Sequence, residues 1–129
     1  MWWAGHKTTK RLVLLFTALL FLFLSGCITS SGTAELIAED NTFNRSTIRV
    51  ETGEEVSFTF ENKDNVTHNF AVYDTREAKQ VIFKGEALSS PGTITYTFTA
   101  PNEPGSYYFQ CDFHPSKMNG SFIVAGTGS

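Results

Sequence analysis

Hydrophobic and polar residues alternate along most of the chain beyond residue 33. The segment 56–61 places Val or Phe at every second position, and the segment 93–99 alternates Ile, Tyr and Phe with threonine. β-branched and aromatic residues with this two-residue period are typical of strands that bury one face. The same pattern in shorter form predicts further strands at 34–38, 47–51, 70–72, 107–110 and 122–124.

Turn-forming residues separate these segments. Gly, Pro, Asn and Asp occur at 52–54, 62–65 and 101–105, as expected for tight connections between strands. A helical turn fits only at 75–79, and no other segment beyond residue 33 has a helical period. The pattern therefore predicts an all-β protein, a Greek-key antiparallel β-sandwich of about seven to eight strands.

Residues 1–26 have a different pattern, which is typical of a signal peptide. Three basic residues precede a largely apolar run at 12–24, and this run is shorter than the roughly 20 residues that a membrane-spanning helix needs. The run ends in the letters LSGC, the last of which is Cys27. This segment resembles the lipobox of bacterial lipoproteins, and the resemblance implies cleavage before Cys27 and lipidation of that cysteine.

A lipidated cysteine predicts a protein of the cell envelope that is anchored to the membrane, on its periplasmic or outer face. One acyl chain anchors a protein only marginally, whereas two or more hold it firmly, and the resemblance implies three. The alternative is an ordinary secreted protein whose Cys27 is free or disulfide-bonded.

Removal of the signal peptide leaves the lipidated cysteine and a tether at 27–32, one domain at 33–126 and a tail at 127–129. The first 26 residues hold three of the ten basic residues and none of the 13 acidic ones, so the net charge changes from −3 to −6. A nucleic-acid-binding module would present a basic face. We therefore expect no nucleic-acid partner, and we expect the domain to be a monomer.

The exported domain contains few imidazole and sulfur side chains. Besides Cys27 it has two histidines, one cysteine and one methionine: His68, Cys111, His114 and Met118. The last three form Cys-x2-His-x3-Met within eight residues, between two predicted strands. A loop between strands can gather three such side chains around one point, and His68 stands at the start of another predicted strand.

This combination of side chains identifies a metal. Two imidazoles and a thiolate in a trigonal plane, with a weak thioether, are the ligands of blue-copper electron-transfer sites. The sulfur donors suit Cu(I) and the imidazoles suit Cu(II), so one site can hold both oxidation states. Zinc shares the thiolate and imidazole ligands, but its sites rarely include a methionine. The sequence thus predicts one copper ion that cycles between Cu(I) and Cu(II).

At these residues the chain resembles the cupredoxins, in particular the plastocyanin-like and pseudoazurin-like blue copper proteins. The resemblance covers nearly the whole exported domain, and it rests on a His-Asn pair before a strand and on the Cys-x2-His-x3-Met loop. It implies that His68, Cys111 and His114 bind copper and that Met118 is the axial ligand. It also implies that the Asn69 side chain ties its own loop to the loop of Cys111.

The resemblance further implies a route for electrons. In cupredoxins the downstream histidine, here His114, lies near the surface and serves as the electron port. Phe113 and Pro115 flank this histidine, and we expect them to contribute to an apolar docking patch for redox partner proteins. Such complexes are transient and belong to the class that buries less than about 1,200 Å².

The ligand loop departs from the family in one spacing. Plastocyanin-like loops have four residues between the histidine and the methionine, amicyanin-like loops have two, and this loop has three. The distance from Met118 to the metal, and with it the colour and the reduction potential, therefore has to be measured.

Other functions fit the sequence less well. The alternative to an electron carrier is a copper storage or delivery protein of the envelope, although such proteins favour Met- or His-rich tracts and this sequence has none. An enzyme could use Cys111 as nucleophile and His114 as base, but no oxyanion-binding element accompanies them, and we expect no catalysis. We expect Asp112, between these two residues, to be solvated or to be a turn residue. A Cys27–Cys111 disulfide is disfavoured because lipid and metal would use both sulfurs.

Overall fold

The structure is a computed structural model that describes residues 34–128, and it contains nine strands and no helix in that range. The strands are β1 (Ala34–Glu39), β2 (Thr42–Phe43), β3 (Thr47–Glu51), β4 (Glu55–Asn62), β5 (Ala71–Tyr73), β6 (Val81–Lys84), β7 (Gly92–Thr99), β8 (Gly105–Gln110) and β9 (Asn119–Ala125). The predicted signal peptide, Cys27 and the tether lie outside the described residues, as do residues 33 and 129. Within 34–128, no helix is long and apolar enough to cross a membrane.

The strands form two sheets with the hydrophobic core between them. One sheet has the order β2-β1-β4-β7, and the other has the order β3-β9-β8-β5-β6. Most neighbouring strands are antiparallel, but β1 pairs with β4 and β3 pairs with β9 in parallel. Parallel neighbours cannot be joined by a tight hairpin, and the chain indeed visits the opposite sheet between β1 and β4. The predicted all-β sandwich is confirmed, and its sheets are mixed.

The alternating pattern does not predict two of the nine strands, β2 and β6. β2 has only two residues, too few to show a period. β6 consists of Val81, Ile82, Phe83 and Lys84, and both of its central residues are half-buried. A strand that buries neighbouring side chains has no two-residue period, so the sequence pattern does not identify it.

The segment 75–79, where a helical turn was expected, forms an isolated turn. The backbone N–H of Ala78 donates to the carbonyl of Thr75 at 3.0 Å. Ala78 has a φ of 51°, in the left-handed region that ends a right-handed turn. The chain therefore returns directly into β6 instead of continuing as a helix.

Aromatic rings fill most of the core between the sheets. On β4, Val56, Phe58 and Phe60 are buried at alternate positions, as the pattern predicts. β7 lies beside β4 in antiparallel register, with Tyr96 opposite Phe58. Phe58 also meets Phe70 edge to face, with ring centroids 5.0 Å apart. Complete burial of one such side chain contributes about 1.5–3 kcal/mol to folding. The aromatic core therefore stabilises the sheets that carry the loops.

The register of the second sheet brings two distant segments of the chain together. β8 and β9 pair as a hairpin in which Gln110 lies opposite Asn119, so residues 111–118 form the loop that joins them. β5 pairs with β8 on its other side, and Ala71 lies opposite Gln110. The residues just before β5, including His68, are consequently placed beside the start of the 111–118 loop.

Candidate metal centre

The loop between β8 and β9 is closed by its own backbone hydrogen bonds. The N–H of Cys111 donates to the carbonyl of Met118 at 2.8 Å, and the N–H of Met118 donates to the carbonyl of His114 at 2.9 Å. The N–H of His114 in turn donates to the carbonyl of Cys111 at 3.2 Å. These bonds fold the loop so that Cys111 and Met118 are fully buried while His114 is half-buried.

His68 lies three residues before the start of β5 rather than in a strand. It forms an isolated antiparallel bridge with Leu88, and each residue's N–H donates to the other's carbonyl, at 3.0 and 2.9 Å. The Asn62 side chain donates to the carbonyls of Val66 and Leu88, which fixes the loop before the histidine. His68 is fully buried as a result.

Three of the four predicted ligands meet at one point. The Nδ1 atom of His68 lies 3.7 Å from the Sγ atom of Cys111, and the Nδ1 atom of His114 lies 3.8 Å from the same sulfur. One donor atom from each of the three residues lies within 4.8 Å of the others. The two imidazole rings are 4.8 Å apart between centroids. Both histidines therefore present the same ring nitrogen to the thiol.

These spacings fit a trigonal metal ion. Bonds of about 2.3 Å to sulfur and about 2.0 Å to nitrogen, at about 120° to each other, place a sulfur and a nitrogen about 3.7 Å apart. The two observed Sγ–Nδ1 distances, 3.7 and 3.8 Å, agree with this value. A trigonal thiolate with two imidazoles is the donor set of a type 1 copper site. The side chains present fit one copper ion.

Met118 is the last residue of the 111–118 loop and lies in the hydrophobic core. Its side chain is fully buried and belongs to the core cluster that also contains Cys111 and Phe109. Its carbonyl accepts the hydrogen bond from the N–H of Cys111. The backbones of the two sulfur-bearing residues therefore lie next to each other. The methionine is thus positioned near the three donors.

The Asn69 side chain joins the two ligand-bearing loops. Its Oδ1 atom accepts the backbone N–H of Asp112 at 2.8 Å, and its Nδ2 atom donates to the Asp112 carboxylate at 3.1 Å. Asn69 is itself buried. Loss of the bond to Oδ1 would leave this buried acceptor unpaired, which costs about 1–3 kcal/mol. The amide therefore fixes the position of the His68 segment relative to Cys111.

Asp112 lies in a turn, as expected, but its side chain is partly buried and hydrogen-bonded. Its carboxylate accepts hydrogen bonds from the Tyr73 hydroxyl at 2.6 Å and the Gln110 side chain at 3.1 Å, and it forms an ion pair with Lys84 at 3.1 Å. Partial burial by itself would raise the pKa of Asp112, but these donors together with Asn69 lower it. Burial, and then the neighbouring carboxylate, raise the pKa of Tyr73 to about 12. Asp112 is thus an ionised acceptor that anchors the residue next to the thiol.

Asp64 is a site residue that the sequence pattern assigns only to a turn. One of its carboxylate oxygens, Oδ2, lies 2.8 Å from the Nε2 atom of His68. The same carboxylate accepts the backbone N–H groups of Asp40 and Asn41, at 2.9 and 3.0 Å. The N–H of Asn41 is the main reason that the pKa of Asp64 lies below its usual value, and the bond to His68 acts in the same direction. The carboxylate that faces His68 is ionised.

The residues predicted to form the electron port lie at the surface. Phe113 is 52% exposed and Pro115 is also exposed, although large apolar side chains are usually covered. His114 lies between them and is half-buried. Val66, in the loop before His68, is another exposed apolar residue, at 43%. His114 thus contacts the Cys111 thiol with one ring nitrogen. Its two neighbours in the sequence are both exposed apolar residues.

Comparison with known proteins agrees with this arrangement. The profile of the cupredoxin-like domain matches residues 12–124. The chain belongs to the cupredoxin-like domain family. The family resemblance that the sequence indicates is therefore confirmed. No curated protein matches this cupredoxin-like chain.

Solved structures of similar fold include a protein described as a "blue" copper protein. Auracyanin A, a "blue" copper protein from Chloroflexus aurantiacus, is 22% identical, with a TM-score of 0.64 over 71% of this chain and 97% of its own. Reduced auracyanin from Roseiflexus castenholzii is 25% identical, with a TM-score of 0.59 over 70% of this chain and 94% of its own. Amicyanin from Paracoccus versutus is 23% identical, with a TM-score of 0.52 over 74% of this chain and 83% of its own. This cupredoxin-like domain thus shares its fold with proteins from several sources.

Proposed function

We propose that this protein carries single electrons by means of one copper ion bound to His68, Cys111 and His114, with Met118 as a weak axial ligand. The observation that supports this most strongly is the meeting of three donor atoms within 4.8 Å at one closed loop. When bound, copper supplies a one-electron couple between Cu(I) and Cu(II). The thiolate and thioether favour the reduced ion and the imidazoles favour the oxidised one.

The rigidity of the site favours an electron carrier over a storage protein. The loop of Cys111 is closed by backbone bonds, and Asn69 ties it to the segment of His68. Both sulfur ligands and His68 are fully buried. Side chains held in this way move little when the charge of the metal changes, which favours rapid electron transfer. A storage or delivery protein would instead benefit from exposed ligands that exchange the metal easily.

The same arrangement makes catalysis by Cys111 unfavourable. A catalytic thiol must be reachable by a substrate, whereas Cys111 is fully buried. His68 and His114 both direct Nδ1 toward its sulfur, so the thiol is positioned as a metal ligand rather than as a nucleophile. We propose a binding and redox role, without an enzymatic one.

Electrons would enter and leave through His114. It is the only one of the four proposed ligands that is not fully buried, and Phe113 and Pro115 beside it form an apolar contact surface. A small apolar patch suits a brief encounter with a redox partner, in the class below about 1,200 Å². We propose transient partner proteins and a monomeric carrier.

Retention of the metal distinguishes the carrier from the storage protein. We expect the copper-loaded chain without its signal peptide to give a reversible one-electron wave in voltammetry. We also expect it to keep its copper when reduced in the presence of a Cu(I) chelator of moderate affinity. Loss of the reduced ion to the chelator within the time of the scan would instead support copper storage or delivery.

We further propose that the carrier is attached to the membrane of the cell envelope through lipid on Cys27. The supporting observation is the LSGC segment at the end of the short apolar run. We expect fatty-acid labelling of the protein in a bacterial host to be abolished by Cys27→Ala. The matched substitution Ser30→Ala, in the tether, should leave the label unchanged. Labelling that survives Cys27→Ala would place the lipid elsewhere and contradict the proposed anchor.

A further inference from the structure

We propose that Asp64 is a positioning residue for the metal centre, which fixes the tautomer and orientation of His68 and lowers the reduction potential of the bound copper. The inference rests on the proposed copper site and adds to it a residue that is not a ligand. It follows from a carboxylate–imidazole pair, the turn that holds the carboxylate, and the difference between the two histidines.

The carboxylate–imidazole pair determines which nitrogen faces the thiol. Both oxygens of the Asp64 carboxylate accept backbone N–H groups, so the carboxylate acts as a hydrogen-bond acceptor, and its 2.8 Å contact with His68 Nε2 places the ring proton on Nε2. The other nitrogen, Nδ1, then has a free lone pair, and it is the atom 3.7 Å from Cys111 Sγ. Metal-ligating histidines in proteins are commonly oriented by such a carboxylate. Asp64 therefore prepares the lone pair that the metal needs.

A separate part of the fold holds Asp64 in place. The two N–H groups that its carboxylate accepts belong to Asp40 and Asn41, in the turn between β1 and β2. Both turn residues have left-handed backbone angles, with φ of 53° and 56°, which are unfavourable for residues other than glycine but best tolerated by Asp and Asn. The backbone N–H of Asp64 also donates to the Asn62 side chain at 2.9 Å. The bond to Asn62 fixes the backbone of Asp64, and the carboxylate cannot turn away from His68 without losing the bonds from Asp40 and Asn41.

The two histidines differ in this respect. Among the residues that the structure describes, the His114 ring has a polar contact only with Cys111, whereas His68 has both Cys111 and Asp64. A hydrogen bond from the far nitrogen to a carboxylate makes an imidazole a stronger electron donor. A stronger donor stabilises Cu(II) more than Cu(I), so the potential falls. The effect operates through the fully buried His68 and leaves the half-buried His114 free for electron exchange.

The reduction potential provides the first test. We expect Asp64→Asn to weaken binding of Cu(II) relative to Cu(I) by about tenfold, which corresponds to a rise of about 59 mV for a one-electron couple. The matched control is Asp74→Asn, because Asp74 also accepts two backbone N–H groups in a turn but contacts neither histidine. We expect the control to leave the potential unchanged. A lower melting temperature for Asp64→Asn with an unchanged potential would reduce Asp64 to a structural role and overturn the inference.

The tautomer of His68 provides a second test, which needs no copper. We expect the nitrogen NMR shifts of the metal-free wild-type protein to show the proton on Nε2 of His68, and Asp64→Ala to give a mixture of both tautomers. A wild-type proton on Nδ1 would contradict the inference. If the protein binds no copper at all, the proposed function fails, but this measurement still decides whether Asp64 fixes the ring.

Discussion

We expect replacement of Cys111 with serine to abolish the intense visible absorption of the copper-loaded protein. The absorption requires a copper–thiolate bond, and Cys111 supplies a sulfur that lies 3.7 and 3.8 Å from the Nδ1 atoms of His68 and His114. Serine has a similar size but a hydroxyl that binds copper far more weakly than a thiolate does. We expect a loss of at least tenfold in absorbance at the visible maximum, measured at equal bound copper.

Met118→Leu is the matched control for the cysteine variant. Leucine fills a similar buried volume but lacks the thioether, so the copper–thiolate bond and the colour should remain while the reduction potential rises. A Cys111→Ser protein that keeps its colour would remove the thiolate from the site. Loss of the metal in Met118→Leu would show that the thioether is more than a weak axial ligand.

Phe109→Ala should destabilise the metal-free domain by about 3–5 kcal/mol. Phe109 is fully buried on β8, and its ring packs against Phe43 at 5.7 Å and Phe70 at 5.4 Å between centroids. Alanine would leave a cavity in this aromatic cluster, two residues before the thiol. In a domain of this size each kcal/mol corresponds to roughly 4–8 °C in Tm, so thermal unfolding should show a fall of more than about 12 °C.

Phe113→Ala is the same substitution four residues later, at a side chain that is 52% exposed. We expect it to change Tm by only a few degrees, because surface substitutions usually alter stability by less than about 0.5 kcal/mol. Its effect should be on the rate of electron exchange with partner proteins, since it removes apolar surface beside His114. Equal losses of stability in the two variants would contradict the assignment of Phe109 to the core and Phe113 to the surface.

The alternation of residues predicts strands well where a strand has one buried face. β4 and β7 follow the pattern because their buried side chains meet the core at every second position. The two central residues of β6 are both half-buried, so this strand has no clear period, whereas β5 is predicted from the alternation at 70–72 although all three of its residues are buried. The pattern also contains no information on pairing, which explains why the parallel pairs of β1 with β4 and β3 with β9 emerge only from the structure.

The ligand candidates could be predicted because most of them are neighbours in the sequence. Cys111, His114 and Met118 belong to one loop, and a hairpin of this length brings them together whatever the details of the fold. The role of Asp64 could not be predicted in this way. Its carboxylate is held by N–H groups 23 and 24 residues earlier in the chain, so its orientation depends on how the β1–β2 turn meets the loop after β4.

Asp112 shows the same limit of local reasoning. The residue lies in a turn, as the pattern indicates, but the side chains that bond to it include Asn69, Tyr73 and Lys84. These residues reach Asp112 only because β5 pairs with β8 and β6 with β5. The role of a polar residue next to a predicted ligand can therefore be assigned only when the order of strands in the sheet is known.

The central claim is that His68, Cys111 and His114 form a copper–thiolate redox site, and one visible spectrum tests it most directly. The chain without its signal peptide is titrated with one equivalent of Cu(II) and is then reduced with ascorbate. We predict an intense band at about 600 nm, alone or with a second band at about 450 nm. The absorbance should saturate at one copper per chain and disappear on reduction. A protein that binds Cu(II) without a strong visible band, or that binds none, would contradict the claim.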